Sequence, residues 1–97
     1  MFRHVVLLRW KTEATPAERF AVQSNLADLP ARIPEIRNYE IGADAQVNAG
    51  NFDLVIVVDF DNVDDYLVYR DHPEHQAVIR ERIQPILADR AAVQHHR

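Results

Sequence analysis

Three side chains in this sequence are suited to acid–base chemistry near neutral pH: His4, Tyr69 and His75. A neutral imidazole can accept a proton, and a helix beginning at Pro73 disfavours the charged form of His75. The hydroxyl of Tyr69 is a donor for a developing oxyanion. These residue types indicate a site that polarises a carbonyl, removes a proton from the adjacent carbon and shelters the enolate without metal or cofactor.

The same residues have a purely structural interpretation, which the sequence leaves open. In that interpretation His72 caps a helix, His4 is a hydrogen-bonded core residue and Tyr69 contributes only packing. The chain offers neither an activated nucleophile nor a carboxylate pair that would narrow the chemistry.

Metal binding is another use for the histidines. His72 and His75 stand three residues apart with Glu74 between them, and His4 is predicted across the pocket. This spacing is weakly specific, because a ring that caps a helix need not share a face with its neighbour. We therefore expect no metal and no other cofactor.

The composition excludes several classes of protein. The chain has 97 residues, a net charge of −4, no cysteine and two glycines. These counts exclude disulfides, thiolate chemistry and the Gly-rich loops that bind nucleotides. An acidic chain without a basic cluster predicts no nucleic-acid binding, and no apolar run approaches the roughly 20 residues of a membrane span. We expect one domain over residues 1–97, located in the cytoplasm because the first residues lack a secretory pattern.

The strands and helices follow from residue patterns. Four strands are predicted from β-branched and aliphatic runs, over residues 2–11, 37–45, 52–60 and 89–95. A capping box at Thr15 begins the first helix, whose apolar stripe runs from Val22 to Ile33 and which Pro30 and Pro34 bring to an end. Asn62 caps a short helix, and Pro73 opens another after a break. The order β-α-β-β-α-β predicts an α+β protein of the ferredoxin-like split βαβ type, an antiparallel four-stranded sheet with helices on one face.

The face of this sheet away from the helices is also apolar. It is predicted to present four aliphatic side chains, Val5, Leu7, Val55 and Val57. Strands that are apolar on both sides are typically buried on both sides, so we expect a second copy to cover this face in a homodimeric α+β barrel. Charged residues are predicted to surround the apolar centre as ion pairs, namely Arg3, Arg9, Asp53 and Asp59.

The space between the sheet and the helices is the predicted pocket, with a small carbonyl compound or an aromatic as its expected ligand. We expect its substrate-binding walls to be formed by Val6, Leu8, Val22, Leu26, Tyr39, Ile56, Tyr66, His72 and Val78.

Three segments resemble the stress-responsive dimeric α+β barrel family: His4-Val5-Val6-Leu7-Leu8-Arg9-Trp10, Ile33-Pro34 and above all His72-Pro73-Glu74-His75. The resemblance spans essentially the whole chain and implies a ferredoxin-like protomer in a homodimer. Members are linked to stress response, and one plant branch is a polyketide cyclase that performs an aldol condensation. In that cyclase the motif histidine is the base and a preceding tyrosine assists, which implies these roles for His75 and Tyr69, with His4 lining the pocket.

One feature departs from the cyclase. Its first helix is more aromatic at the positions held here by Val22, Gln23, Leu26 and Ala27, so the sequence does not imply the same long-chain polyketide. The leading hypothesis is a cofactor-free proton transfer or cyclisation on a small carbonyl or polyketide-like compound. Two other hypotheses remain: a non-catalytic ligand-binding or stress-protective protein, and a monooxygenase or haem-handling enzyme of the dimeric barrel type.

Overall fold

The fold is an antiparallel sheet of four strands. A computed structural model describes residues Met1 to Arg97. The strands are β1 (Phe2–Trp10), β2 (Asn38–Ala43), β3 (Leu54–Phe60) and β4 (Leu87–His96). Their spatial order is β2-β3-β1-β4, so the first and third strands are central and the last strand forms an edge. This is the ferredoxin-like arrangement that the order of elements predicted.

The helices pack on one face of the sheet. They are α1 (Pro16–Ala27), α2 (Leu29–Arg32), α3 (Val63–Asp71) and α4 (Pro73–Val78), followed by a π-helical turn over Ile79–Ile83 and a 3₁₀ turn over Gln84–Ile86. None of these helices is long and apolar enough to cross a membrane.

Local sequence signals determine where the helices begin. Thr15 and Glu18 form the predicted capping box, in which each side chain accepts a hydrogen bond from the other residue's backbone N–H. Asn62 caps α3 by accepting from the N–H of Asp65. The single helix predicted through Ile33 is divided in the structure, because the chain breaks between α1 and α2. Pro30 lacks the N–H that would continue the α1 hydrogen bonds.

The helix-facing side of the sheet forms the hydrophobic core. Side chains of β1 alternate strictly, with even-numbered residues buried and odd-numbered ones half-buried. Val58 and Phe60 of β3 pack against Val22 of α1 and Ile33 after α2, all without solvent exposure. We call this side the inner face of the sheet.

The opposite side, which we call the outer face, carries the predicted aliphatic residues. Val5 of β1 lies directly between Val57 of β3 and Val93 of β4, and Leu7 lies beside Val55 in the next row. No helix covers them, and the side chain of Val93 is 57% exposed. A continuous apolar strip therefore crosses three strands on this face.

Of the four charged residues predicted to form ion pairs around the outer face, two pair with each other and two do not. Arg3 and Asp59 form a bidentate pair within the chain, with nitrogen–oxygen distances of 2.7 and 2.9 Å. Arg9 does not pair with Asp53, whose carboxylate accepts the backbone N–H of Trp10 at 2.8 Å.

The third strand begins later than predicted. It starts at Leu54, and Phe52 precedes it with its ring 4.3 Å below the guanidinium of Arg9. Phe52 lines a groove with Leu7 and Val55, so it lies on the outer side, whereas alternation along the predicted strand 52–60 would place it on the inner face with Leu54. The preceding loop turns at Gly50, whose φ of 85° suits a residue without a Cβ.

Candidate active site

A cavity of about 280 Å³ lies between the inner face of the sheet and the helices. Its aliphatic lining comes from strand β1, helix α1, the π-helical turn and neighbouring strands. Its polar groups come from β1, α3, α4, the 3₁₀ turn and the edge strand β4. The lining consists of His4, Val6, Leu8, Leu26, Ile56, Tyr66, Tyr69, Arg70, His75, Gln76, Ile79, Ile83, Gln84, Leu87 and Arg90.

His75 reaches this cavity because the chain breaks between α3 and α4. Pro73 disfavours helical geometry at His72, which ends α3 in an extended conformation. The ring of His72 then accepts a hydrogen bond from the N–H of Glu74 through its Nδ1 atom, at 3.1 Å. This cap starts α4 and places His75 in the first turn of the new helix.

A backbone carbonyl determines which nitrogen of His75 carries the proton. The carbonyl oxygen of Arg70 lies 3.0 Å from Nδ1 of His75, and a carbonyl can only accept, so Nδ1 donates. In the neutral ring the lone pair is therefore on Nε2. Gln76 donates to the same carbonyl at 2.6 Å and helps to hold it in place.

The surroundings of His75 favour its neutral form. Burial lowers the pKa of His75 below its ordinary value of 6.5, and electrostatic interactions with His72 and with the positive charge of Arg90 act in the same direction. The carbonyl hydrogen bond opposes this shift but does not reverse it. A neutral ring with a free Nε2 is the protonation state that a general base requires.

Tyr69 packs directly against His75. The two rings are stacked with centroids 4.1 Å apart and planes 29° from parallel. The side chain of Tyr69 is buried, and burial together with Tyr39 raises the pKa of its hydroxyl well above 10. Tyr69 therefore stays protonated and keeps its capacity to donate a hydrogen bond.

His4 forms the opposite wall from strand β1. Its ring is almost completely buried, 4.8 Å from the ring of Tyr66. Gln94 of β4 donates from its amide nitrogen to Nδ1 of His4 at 2.8 Å, which leaves the proton of the neutral ring on Nε2. Burial, with the positive charge of Arg90 and a smaller electrostatic interaction with His75, lowers the pKa of His4 to about 4.

An irregularity in β4 allows two further side chains to reach the cavity. Arg90 pairs with Leu8, but Trp10 pairs with Leu87, so one extra residue lies between these rungs. Regular alternation would place Leu87 and Arg90 on opposite faces, whereas this bulge turns both toward the inner face. Both consequently line the cavity.

The structure brings eight of the predicted site residues to one cavity. These are His4, Val6, Leu8, Leu26, Ile56, Tyr66, Tyr69 and His75. It places Val22, Tyr39, His72 and Val78 elsewhere, contrary to the prediction that they line the pocket. Val22 and Val78 belong to the solid core, and His72 is occupied as a helix cap. Tyr39 lies behind Tyr69, with ring centroids 6.4 Å apart.

Tyr39 is nonetheless unusual. Its hydroxyl is buried without a hydrogen-bond partner, and burial raises its pKa to about 12. This group belongs to the packing behind the cavity.

Sequence reasoning missed the contributions of the last strand and of the turn before it. Gln94, which orients His4, and Arg90 lie in a strand whose alternation is interrupted by the bulge. Ile79 and Ile83 reach the cavity from the π-helical turn. A signal for that turn was present in Pro85, which cannot donate the next α-helical hydrogen bond.

The histidines do not assemble into a metal-binding cluster. No group of three or more His, Cys, Asp or Glu side chains has the proximity required to hold a metal ion. His72 is turned into its capping role, and the cavity lining contains no carboxylate. The two neutral imidazoles are instead suited to moving a proton, because Nε2 of His75 can accept a proton and Nε2 of His4 can donate a hydrogen bond.

Comparisons with known proteins agree with this fold. The family model described as the stress-responsive A/B barrel domain matches residues 2–95. A dimeric ferredoxin-like protein of unknown function from Thermobifida fusca is 46% identical, with a TM-score of 0.89 over 97% of this chain and 88% of that one. No curated protein is significantly similar in sequence.

Two more distant structures share the architecture. A dimeric protein of unknown function from Bacteroides fragilis is 29% identical over 97% of this chain and 93% of that one, with a TM-score of 0.80. A hydroxynitrile lyase from Passiflora edulis is 19% identical over 97% and 90% of the two chains, with a TM-score of 0.84. The last likeness concerns the fold alone.

Proposed function

The chain belongs to the stress-responsive A/B barrel domain family, and we propose that it is a homodimeric, cofactor-free enzyme acting on a small carbonyl compound. In this proposal the cavity binds the compound, and Nε2 of His75 removes a proton from the carbon next to the carbonyl. The observation that carries the proposal is the hydrogen bond from Nδ1 of His75 to the carbonyl of Arg70. It leaves a basic nitrogen free in a largely apolar cavity.

The reaction begins with transfer of one proton. The carbon–hydrogen electron pair becomes the carbon–carbon double bond of an enolate, and the carbonyl π pair moves onto oxygen. His75 becomes an imidazolium, and its proton later returns to the product. The low pKa of His75 makes this return favourable, so the residue works as base and then as acid.

The developing negative charge on oxygen needs hydrogen-bond donors. Nε2 of His4 carries the proton of its ring, because Gln94 occupies Nδ1. Tyr69 retains its hydroxyl proton at every physiological pH. We assign stabilisation of the oxyanion to these two residues. Where the compound has a second carbonyl, the same enolate can attack it, so that proton transfer leads to cyclisation.

The homodimer is supported by the outer face. Val5, Leu7, Val55, Val57 and Val93 form an apolar strip that no element of the chain covers. Relatives from Thermobifida fusca and Bacteroides fragilis are described as dimeric. A second copy that packs the same strip against this one buries both, as a two-fold interface allows.

The proton-transfer step can be tested with nitrobenzisoxazole. A base takes its ring C–H proton, the C–H pair forms a nitrile, and the N–O pair leaves as a coloured phenolate. We expect turnover by the wild-type protein that follows one ionisation below pH 6.5 and levels off above it. His75→Ala should lower the rate at least tenfold, within the usual contribution of a general base.

His95→Ala is the matched control, since it removes an exposed histidine outside the cavity. It should leave the rate unchanged. Equal rates for wild type and His75→Ala would contradict the assignment of His75 as base. Native mass spectrometry provides the contrast with a ligand-binding protein, which would retain a bound compound and show no turnover.

A further inference from the structure

We propose that the substrate of this cavity is an anion, namely a compound with an apolar body and one carboxylate that pairs with Arg90. This inference deepens the proposed function by specifying the substrate class of the same site. It rests on the charges and shape of the cavity and not on the chemistry of His75.

The position of Arg90 follows from the pairing of β4 with β1. Arg90 stands opposite Leu8 and therefore on the inner face of the sheet. From there it lines the cavity, as His4 and His75 do. It is close enough for its positive charge to lower the pKa of both histidines.

The guanidinium of Arg90 has no counter-charge in the protein. Its side chain forms no ion pair and no hydrogen bond, in contrast to Arg3 with Asp59 and Arg37 with Asp61. The other arginine of the cavity, Arg70, is neutralised by a bidentate contact to Asp71.

The cavity contains no group that would repel an anion. Its lining has no Asp or Glu, although the chain carries 15 of them and a net charge of −4. Both histidines are neutral near pH 7, so Arg90 is the uncompensated charge of the site. A planar guanidinium matches the two oxygens of a single carboxylate.

The shape of the cavity supplies the rest of the specificity. Aliphatic side chains from β1, α1 and the π-helical turn form much of the wall, including Val6, Leu26 and Ile83. A ligand whose apolar body contacts these residues and whose carboxylate pairs with Arg90 uses both parts of the lining. The imidazoles of His4 and His75 line the same cavity, which suits a carboxylic acid that also carries a carbonyl group.

The test compares two probes of the same shape, naphthoate and its neutral amide, by calorimetric titration at pH 7.5. Naphthoate should bind the wild-type protein about tenfold more tightly than the amide, a difference of about 1.4 kcal/mol. Arg90→Gln should abolish this preference, whereas Arg90→Lys should retain part of it. Arg90 is exposed at an edge strand, so thermal unfolding should remain close to wild type.

Arg82→Gln is the matched control. It removes the same charge from an exposed arginine that does not line the cavity and should keep the preference for naphthoate. The inference is overturned if the two probes bind the wild type equally, if naphthoate does not bind up to its solubility limit, or if Arg82→Gln loses the preference as Arg90→Gln does.

Failure of the inference is separable from failure of the proposed function. Preference for naphthoate that depends on Arg90, without turnover of nitrobenzisoxazole, would retain the anion site and reject the catalytic role of His75. Turnover that depends on His75, without any preference for naphthoate, would retain the base and reject the anion.

Discussion

The two faces of the sheet are built from the same strands but differ in how they are completed. The inner face is covered by helices and is apolar, except where His4, Gln94 and Arg90 approach the cavity. The outer face has no cover within the chain, and its polar residues lie around an uninterrupted aliphatic strip. Polar side chains thus lie among the apolar residues of the inner face, which the helices cover. They are absent from the centre of the outer face, which nothing in the chain covers.

Because the two faces differ in this way, neighbouring residues of one strand have different roles. Alternate residues of β1 either contribute to the proposed dimer interface or line the candidate active site, and adjacent positions have unrelated roles. The comparison therefore predicts that neighbouring substitutions act on different measurable properties.

The largest effect is expected from Val5→Asp at the centre of the outer face. In the proposed dimer the new carboxylate and its symmetry mate would both be buried without a counter-charge, at a cost of several kcal/mol. We expect sedimentation to show monomers at concentrations where the wild type is dimeric. Val47→Asp, at an 81% exposed loop position, should remain dimeric. A monomeric wild type, or a dimeric Val5→Asp, would contradict the role of this face.

Two adjacent leucines provide the next comparison. Leu8 is 2% exposed on the inner face, and Leu8→Ala should lower the free energy of unfolding by about 2 to 5 kcal/mol at any protein concentration. Leu7→Ala on the outer face should reduce stability in proportion to the dimer present, so its effect should change with protein concentration. Urea unfolding at two concentrations distinguishes the variants, and identical concentration dependence would argue against separate roles for the faces.

The buried histidine of the inner face predicts a dependence of stability on pH. The pKa of His4 is about 4 in the folded chain and near the ordinary value of 6.5 in the unfolded chain. Unfolding therefore takes up a proton at pH values between about 4 and 6.5. Stability should be complete above pH 6.5 and fall by about 2 to 3 kcal/mol on acidification to pH 4. His4→Gln should remove this part of the slope, whereas His95→Gln should leave it intact. A wild-type stability that is flat over this range would refute the prediction.

The smallest effect is expected from the ion pair on the outer face. Asp59 accepts hydrogen bonds from Arg3, which lower the pKa of Asp59 to about 2, with smaller contributions from Asn38 and Arg97. The resulting stability is present above pH 3.8 and is lost as the pH falls toward 2. Asp59→Asn should cost roughly 1 to 2 kcal/mol near neutral pH. The control Asp61→Asn breaks an exposed pair with Arg37 and should cost much less; equal losses would contradict the importance of burial.

The sequence predicted the strands and their order because alternation in β1 and β3 is regular and the helix starts carry strong caps. It also identified His4, Tyr69 and His75, which share one cavity in the folded chain. The remainder depended on longer-range packing. The burial of the Tyr39 hydroxyl without a hydrogen-bond partner and the outward position of Phe52 both depend on neighbours that are distant in sequence.

The last strand was the least predictable part of the site. Its polar composition gave a weak pattern, so the expected strand covered residues 89–95 and the observed one is Leu87–His96. Pairing to β1, and not the intrinsic preference of the residues, determines that length. The hydrogen bond between Gln94 and His4 follows from that pairing and spans 90 positions of the chain.

The extra residue in β4 is absorbed within the edge strand and does not disturb the cavity. Removing Ala88 would leave Leu87 opposite Trp10 and Arg90 opposite Leu8, so both side chains would stay on the inner face. Regular pairing that kept Ala88 would instead set Ala88 opposite Trp10 and turn Leu87 to the outer face. The bulge therefore lets this strand hold one more residue while the apolar wall and the charged group of the cavity keep their places.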